Sequence, residues 1–289
     1  MSLENWLLVL TGAACHALWN MAAKKTSGGL IFVWLFGLVS MVAAAPFALW
    51  VWITQGAHFS ATMWAAALLS GAVHVLYSLV LQQGYRVSDF AVVYPVARGS
   101  GPMLTVLSAV LLLGEQPQPL AWVGIALILV GVFLCSNKGG AANTHDPTQR
   151  QRGVVWGLLT GLCIAAYTVL DGWAIKTLGM VPLLFYSVGL VWRSLLLAPL
   201  ALRQPHQLRE QWRQHRRSIV LVGVLSPLAY GLVLTALQTA PLSYVAPVRE
   251  VSMLIGTFVG ARWLKESVQR SQKAGAVLML LGVLGLAWV

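Results

Sequence analysis

The chain has 289 residues, of which 58% are hydrophobic and only 9% are charged, and its formal net charge is +11. Soluble globular proteins carry about 25% charged residues, so this composition excludes a soluble enzyme, a disordered protein and a nucleic-acid-binding protein. The basic residues are better explained as loop charges that orient a membrane protein. The three cysteines lie in apolar segments and indicate small buried side chains, not a disulfide framework or a metal site: Cys15, Cys135 and Cys163.

A helix needs about 20 mostly apolar residues to cross a bilayer, and the chain contains ten such segments. The first is interpreted as a retained helix, because no basic residue precedes it as in a signal peptide. In chain order the predicted helices are Leu3–Ala23, Leu30–Ile53, Ala61–Gln83, Phe90–Leu113, Leu120–Ser136, Gly153–Gly172, Val181–Leu202, Ser218–Gln238, Ser243–Leu264 and Gln272–Val289. The connection Arg203–Arg217 is strongly basic. An all-α integral membrane protein is expected, with no segment left for a soluble domain.

An internal repeat divides the chain into two halves. The segment Leu113-Gly114-Glu115 recurs as Leu264-Lys265-Glu266 at an offset of 151 residues, and Pro95-Val96 recurs as Pro247-Val248 at an offset of 152. Each copy contains five helices, and this odd number inverts the second copy relative to the first in the membrane. We expect a first five-helix repeat over residues 1–136, a cytoplasmic linker over 137–152 and a second repeat over 153–289.

The distribution of lysine and arginine predicts the orientation. The connections after predicted helices 1, 3, 5, 7 and 9, with their flanking turns, hold 15 of the 19 basic residues. Cytoplasmic loops are enriched in Lys and Arg, so these connections are expected in the cytoplasm and both termini outside it. We expect a multi-pass protein located in the cell inner (plasma) membrane.

Short motifs resemble those of a known transporter group. Trp19-Asn20 with Lys24 ends the first predicted helix, and Leu-Gly-Glu follows the fourth. With the two five-helix repeats, these are similar to the drug/metabolite transporter superfamily, EamA-type. The resemblance covers the whole chain, although Lys265 stands where the pattern has glycine. It implies a monomer or homodimer that moves small metabolites by alternating access, without specifying the substrate.

Four charged residues inside the predicted helices are the main binding candidates, because charge within a bilayer is costly and usually functional. Arg98 precedes Gly99–Pro102, where the fourth helix is expected to be broken or kinked. It either faces a substrate cavity or ties the helix to a neighbour. Arg249 and Glu250 are adjacent, so their side chains should diverge by about 100° without simply neutralising each other. The offset of 152 makes Glu250 the counterpart of Arg98, and we predict that these two interact.

Arg193 is expected near the bilayer centre, where its guanidinium either binds an anionic group of the substrate or pairs with Asp171 or Glu250. Histidine titrates near neutral pH, so a proton relay has four candidates: His16, His74, Asp171 and Glu250. Each histidine is alternatively a packing residue. Further polar and aromatic side chains are expected to line the pocket: Trp19, Asn20, Tyr77, Tyr94, Tyr167 and Tyr230, with Tyr186 as a further hydroxyl.

These candidates predict a secondary transporter, specifically an exporter, of a small polar metabolite such as an amino acid or related organic anion. Proton coupling, uniport and exchange remain open. The chain has no phosphate-binding glycine loop, so ATP is not expected to drive it, and no cofactor, metal or nucleic-acid partner is expected. The alternatives are a flippase for a lipid-linked sugar or other amphiphile, an integral-membrane enzyme and a channel.

Overall fold

The computed structural model describes residues 1–24, 26, 29–56, 58–136, 147–263 and 269–288. This part of the chain forms eleven helices and no strand: α1 (Leu3–Lys24), α2 (Leu30–Gln55), α3 (Ala61–Val87), α4 (Phe90–Leu113), α5 (Pro119–Ser136), α6 (Pro147–Lys176), α7 (Pro182–Leu202), α8 (Pro205–Ala236), α9 (Leu242–Arg249), α10 (Val251–Trp263) and α11 (Arg270–Ala287). Helices α9 and α10 together correspond to the ninth predicted helix, so the prediction of an all-helical membrane protein with ten helical segments is confirmed. Among the described residues, nine of these segments are long and apolar enough to cross a membrane.

Two helices start earlier than predicted. Helix α6 begins at Pro147 and α8 at Pro205, so the basic segment before Ser218 is helical, and its prediction as a simple connection is wrong. Proline suits the first turn of a helix, and Arg and Gln are good helix formers, so the helix continues past the apolar residues. Part of the predicted linker (137–146), the second copy of the repeated motif (264–266) and residue 289 lie outside the described residues.

Helix packing shows the symmetry of an inverted repeat. In the two repeats α1 corresponds to α6, α2 to α7 and α3 to α8. Helices α1 and α2 both pack on α8, and their counterparts α6 and α7 both pack on α3. The pairs α2 with α7 and α5 with α11 each join a helix to its own counterpart. Each contact therefore recurs with the roles of the two halves exchanged, which confirms the two five-helix repeats.

Glycines set the distance between α5 and α11, as expected from the sequence. A Cβ added at Gly131 would lie 2.6 Å from the carbonyl oxygen of Gly275, and one added at Gly275 would lie 2.6 Å from the carbonyl oxygen of Gly131. Gly124 and Gly282 face each other in the same way, at 2.9 and 2.6 Å. Small residues let membrane helices approach closely, so the final helices of the two repeats form one tight pair.

Helix α6 approaches α4 through three glycines spaced one turn apart. Gly153 packs against Val92, Gly157 against Val96, and Gly161 against Ser100. Residue numbers rise together along both helices, so the two run parallel. Helix α4, which carries Arg98, is thereby held against α6, which carries Tyr167 and Asp171 further along.

The expected break in the fourth helix is found instead in the ninth span. Helix α4 continues through Gly99–Pro102 as one helix, whereas α9 ends at Arg249 and α10 starts at Val251. Pro247 donates no backbone hydrogen bond, and the chain departs from the helix three residues later. Pro95 stands at the equivalent place in α4 without a break, so the proline alone does not determine it.

Candidate substrate site

The predicted interaction between Arg98 and Glu250 is present in the structure. Arg98 Nη2 lies 2.7 Å from Glu250 Oε2, with side chains that are 17% and 1% exposed. Neither Glu250 Oε2 nor Arg98 Nε has a well-directed hydrogen bond within the described residues, so the contact is an ion pair without full hydrogen bonding. It joins the fourth and ninth spans at the helix break.

Arg249 also contacts Glu250, which corrects the expectation that these neighbours diverge. Arg249 Nε lies 3.7 Å from Glu250 Oε1, and the Arg249 side chain is 6% exposed. Regular helical spacing does not apply here, because Glu250 is the residue between α9 and α10. The cluster Arg98–Glu250–Arg249, called here the charge triad, contains two positive charges and one negative charge.

A cluster of aromatic rings lies beside the triad. His74 on α3 stacks on Tyr167 of α6 with ring centroids 4.0 Å apart. Tyr77 and Tyr230 meet the same Tyr167 ring edge-on at 5.8 and 6.3 Å. Tyr186, which is buried, contacts Tyr230 at 5.3 Å. The structure therefore brings together the predicted tyrosines of α3, α6 and α8, with Arg249 and Arg98 near enough to Tyr167 for Coulomb interaction.

Asp171 lies at the same cluster, one helical turn after Tyr167. Its side chain is 1% exposed, and Tyr230 donates a hydrogen bond of 2.6 Å to Asp171 Oδ2. His74 Nδ1 lies 2.9 Å from the backbone oxygen of Ser70, so Nδ1 carries the hydrogen in this arrangement. The two relay candidates His74 and Asp171 are thus near neighbours through Tyr167 and Tyr230.

The candidates on α1 form a smaller group. The His16 and Trp19 rings contact each other at 4.7 Å, and Asn20 Nδ2 donates a hydrogen bond to the backbone oxygen of His16. Arg98 and Arg249 act electrostatically on His16, which places it beside the triad. Asn20 is exposed.

Two further candidates lie on α7 and α4. Arg193 is partly buried next to the close contact between Gly71 and Trp192. Within the described residues, no ion pair joins it to Asp171 or Glu250, although it acts on Asp171 at longer range. Tyr94 is partly buried one turn before Arg98 and interacts with it electrostatically. In the same described residues, no three His, Cys, Asp or Glu side chains group to hold a metal ion.

Comparison with known proteins decides the family. The EamA-like transporter family model matches residues 5–137 and again residues 151–288. The chain belongs to the EamA-like transporter family. It is 23% identical over 248 residues, 84% of this chain and 80% of the relative, to the "Uncharacterized transporter YwfM" of Bacillus subtilis (strain 168).

A solved crystal structure shares the fold of this EamA-like transporter. It superposes with a TM-score of 0.77 at 14% identity and covers 98% of this chain and 97% of its own. At that identity the likeness concerns the fold alone. The family match makes the protein a multi-pass membrane transporter of the drug/metabolite superfamily.

Sequence reasoning missed a contact made by the repeated motif. Glu115, just after α4, accepts hydrogen bonds from the backbone nitrogens of Leu242 (2.7 Å) and Ser243 (2.8 Å) and from Lys176 Nζ (2.9 Å). Burial raises the pKa of the Glu115 carboxyl, but the bonds from Ser243, Lys176 and Leu242 lower it further, and the net pKa lies below its usual value. The repetition of the Leu-Gly-Glu motif could have indicated that Glu115 matters, but it does not indicate which groups Glu115 contacts.

Proposed function

We propose that this EamA-like transporter is a secondary carrier that exports a small polar metabolite with a carboxylate or phosphate group, an amino acid or related organic anion first. The observation that carries the proposal is the charge triad, which is buried where the fourth and ninth spans meet. Two guanidinium groups share one carboxylate there. The remaining positive charge suits an anionic group of the substrate.

Recognition follows from the geometry of arginine. A guanidinium binds carboxylate or phosphate through two parallel hydrogen bonds. In this structure Arg98 and Arg249 both already contact the Glu250 carboxylate. An anionic substrate competes with Glu250 for Arg98 or Arg249, and Arg193 provides a further positive charge. The rings of Tyr77, Tyr167 and Tyr230 supply an apolar wall for the body of the substrate.

Alternating access follows from the repeat. Carriers with inverted repeats bind substrate near the midplane, where broken helices expose backbone groups to the site. Arg98 belongs to the first repeat (residues 1–136), whereas Glu250 belongs to the second (153–289) with the linker 137–152 between them. Formation and loss of the pair then accompany movement of one half against the other. A monomer or homodimer in the plasma membrane suffices for this cycle.

The test uses purified protein in proteoliposomes loaded with one amino acid or organic anion from a panel. We expect the wild type to take up the same labelled compound by counterflow with saturation, and R98A to lose this uptake. A ligand that binds only the folded state also raises the melting temperature. The compounds of the panel are therefore chosen by the rise in melting temperature that they cause. Uptake that neither saturates nor shows counterflow would identify a channel and contradict the proposal.

A flippase for a lipid-linked sugar or other amphiphile is the second candidate. An apolar groove of about 380 Å³ lies between α1 and α8 and is lined by Leu3, Glu4, Leu7, Leu8, Thr11 and Leu232. Its lining is mostly apolar, which suits an acyl chain better than the charged triad does. Translocation of a fluorescent amphiphile between leaflets, without counterflow of any water-soluble compound, would favour this candidate over the first.

A further inference from the structure

Asp171 differs from the other buried acid of the site in its partners. Only Oδ2 has a hydrogen-bond donor, Tyr230, while Oδ1 is buried without a hydrogen bond in the described part of the chain. The Ser70 side chain is a second hydrogen-bonding neighbour of this carboxyl, although it makes no well-directed hydrogen bond to Oδ1. A buried carboxylate with a single well-directed donor and no adjacent cation is costly.

The groups that face Asp171 come from five helices. They are Ser70 and His74 on α3, Tyr167 on its own helix α6, Arg193 on α7, Tyr230 on α8 and Arg249 on α9. Neither arginine is within ion-pair distance of Asp171 in the part that the structure describes. The carboxylate is therefore influenced by positive charge without being paired to it.

The other relay candidates are less suited to gaining and losing a proton in this conformation. Glu250 already has two cationic partners, Arg98 at 2.7 Å and Arg249 at 3.7 Å. His16 lies beside the same two arginines, which oppose a third positive charge. His74 is held between the Ser70 backbone oxygen and the Tyr167 ring, and its protonation would add a positive charge near Arg193.

We infer that Asp171 is the proton-binding residue that couples proton movement to transport. The proton binds to Oδ1 and forms an O–H bond, the side chain changes from −1 to 0, and Tyr230 continues to donate to Oδ2. A bare proton is the ligand that a 1% exposed carboxyl can accept without repacking the rings around it. A metal ion or an organic ammonium group needs more room and more oxygen ligands.

Protonation of Asp171 is linked to the triad through Arg249. Neutral Asp171 no longer attracts Arg249 or Arg193, so the site becomes more positive by one charge and binds an anion more tightly. By linkage the anion also favours the proton, and the two cross together. Export then follows the outward gradient of a metabolite concentrated in the cytoplasm and carries a proton with it. This coupling rests on the proposed transport function, whereas the proton site does not.

The first experiment needs no substrate. Purified protein is titrated between about pH 4 and pH 8, a range that starts near the ordinary pKa of a carboxyl group. Infrared difference spectra should show the carbonyl stretch of a buried protonated acid. D171N should remove this band, and E250Q, a matched change in the other buried acid, should leave it. Y230F should retain the band but shift its appearance to higher pH, because the carboxylate loses its donor. A band that survives D171N would overturn the inference.

The second experiment measures coupling. Proteoliposomes with an internal pH dye and a compound that gives counterflow should show proton movement with uptake, and affinity should rise at least about fivefold as Asp171 becomes protonated. In D171N the number of protons per substrate should fall to zero, whatever the rate. Proton movement that persists would contradict the inference. Absence of counterflow for every amino acid and anion tested, with the infrared band intact, would instead contradict the proposed function alone.

Discussion

At the scale of single residues, the site depends on how three charges are shared at one break in the ninth span. Glu250 is almost fully buried and contacts both Arg98 and Arg249. Removing one member of a buried ion pair leaves the other charge unpaired and costs about 3–5 kcal/mol. Removing both can cost less. The pair is therefore a place where double substitutions should be milder than single ones.

The pair predicts a result for charge reversal. R98Q alone and E250Q alone should each reduce counterflow strongly, because each leaves a buried charge without its partner. The double variant with Arg98→Glu and Glu250→Arg should recover part of the activity. Transport rates of the four proteins form a double-mutant cycle. Independent effects of the two sites would show that the observed contact does not matter to transport.

Arg193 gives a second residue prediction. We expect R193A to abolish saturable counterflow with normal expression, and R193K to recover little, because an ammonium does not reproduce the two parallel hydrogen bonds of a guanidinium. R209A, on the exposed start of α8, is the matched control and should transport as the wild type does. Near-normal uptake by R193A would assign Arg193 a structural role.

At the scale of helices, two kinds of contact hold the bundle: glycine surfaces and a carboxylate at a helix end. The glycines of α5 and α11 allow backbone oxygens to lie where a side chain would otherwise stand. Glu115 binds the first two backbone nitrogens of α9, which have no partner within their own helix. Both contacts join elements of different repeats and should stabilise the assembly rather than contact the substrate.

Substituting one interface glycine should destabilise the fold. G131A places a Cβ 2.6 Å from the backbone oxygen of Gly275, and overpacking of this kind costs about 1–3 kcal/mol. The melting temperature in detergent should therefore fall. G189A, in α7, meets nothing within 4 Å and should leave it unchanged or raise it. A G131A protein as stable as G189A would mean that α5 and α11 are not tightly packed.

Glu115 predicts a pH dependence of stability. Its pKa is lower in the folded protein than in the unfolded chain, where it is about 4.3, so its stabilisation is complete above that value and is lost as pH falls through the lower folded value. The melting temperature of the wild type should fall below about pH 5, whereas E115Q should start lower and change less. E210Q, exposed on α8, is the control. A parallel fall in wild type and E115Q would exclude Glu115 as its cause.

At the scale of the whole molecule, the inverted repeat relates the two halves, and the distribution of basic residues predicts the orientation. Fifteen of the 19 basic residues are assigned to one side, and the exposed arginines at the start of α8 belong to that side. A reporter that is active only outside the cytoplasm, fused after the C-terminal residue, should therefore be active. Activity of a cytoplasm-specific reporter at the same position would reverse the orientation.

Several features could be predicted from the sequence because they depend on local composition or on the duplication. Hydropathy identified the fourth helix with the bounds that the structure has, Phe90–Leu113, since each span must by itself satisfy its backbone in lipid. The repeat offset paired Arg98 with Glu250 because a two-fold axis relates equivalent positions wherever they lie in the chain. The additional first turns of α6 and α8 were not predicted, because helix ends that lie outside the lipid need not be apolar.

The remaining features were decided by tertiary structure. The break at Glu250 was not predictable from Pro247, since Pro95 has the same place in an unbroken helix. The bond from Tyr230 to Asp171 spans 59 residues, and that from Leu242 to Glu115 spans 127, so neither follows from spacing along one helix. Such contacts depend on the rotation and depth of packed helices, which are set by close approach at positions such as Gly157 and Gly161. Composition and the repeat determined the membrane architecture, whereas this packing decided that Glu250 is paired with arginine and that one oxygen of Asp171 has no well-directed hydrogen bond.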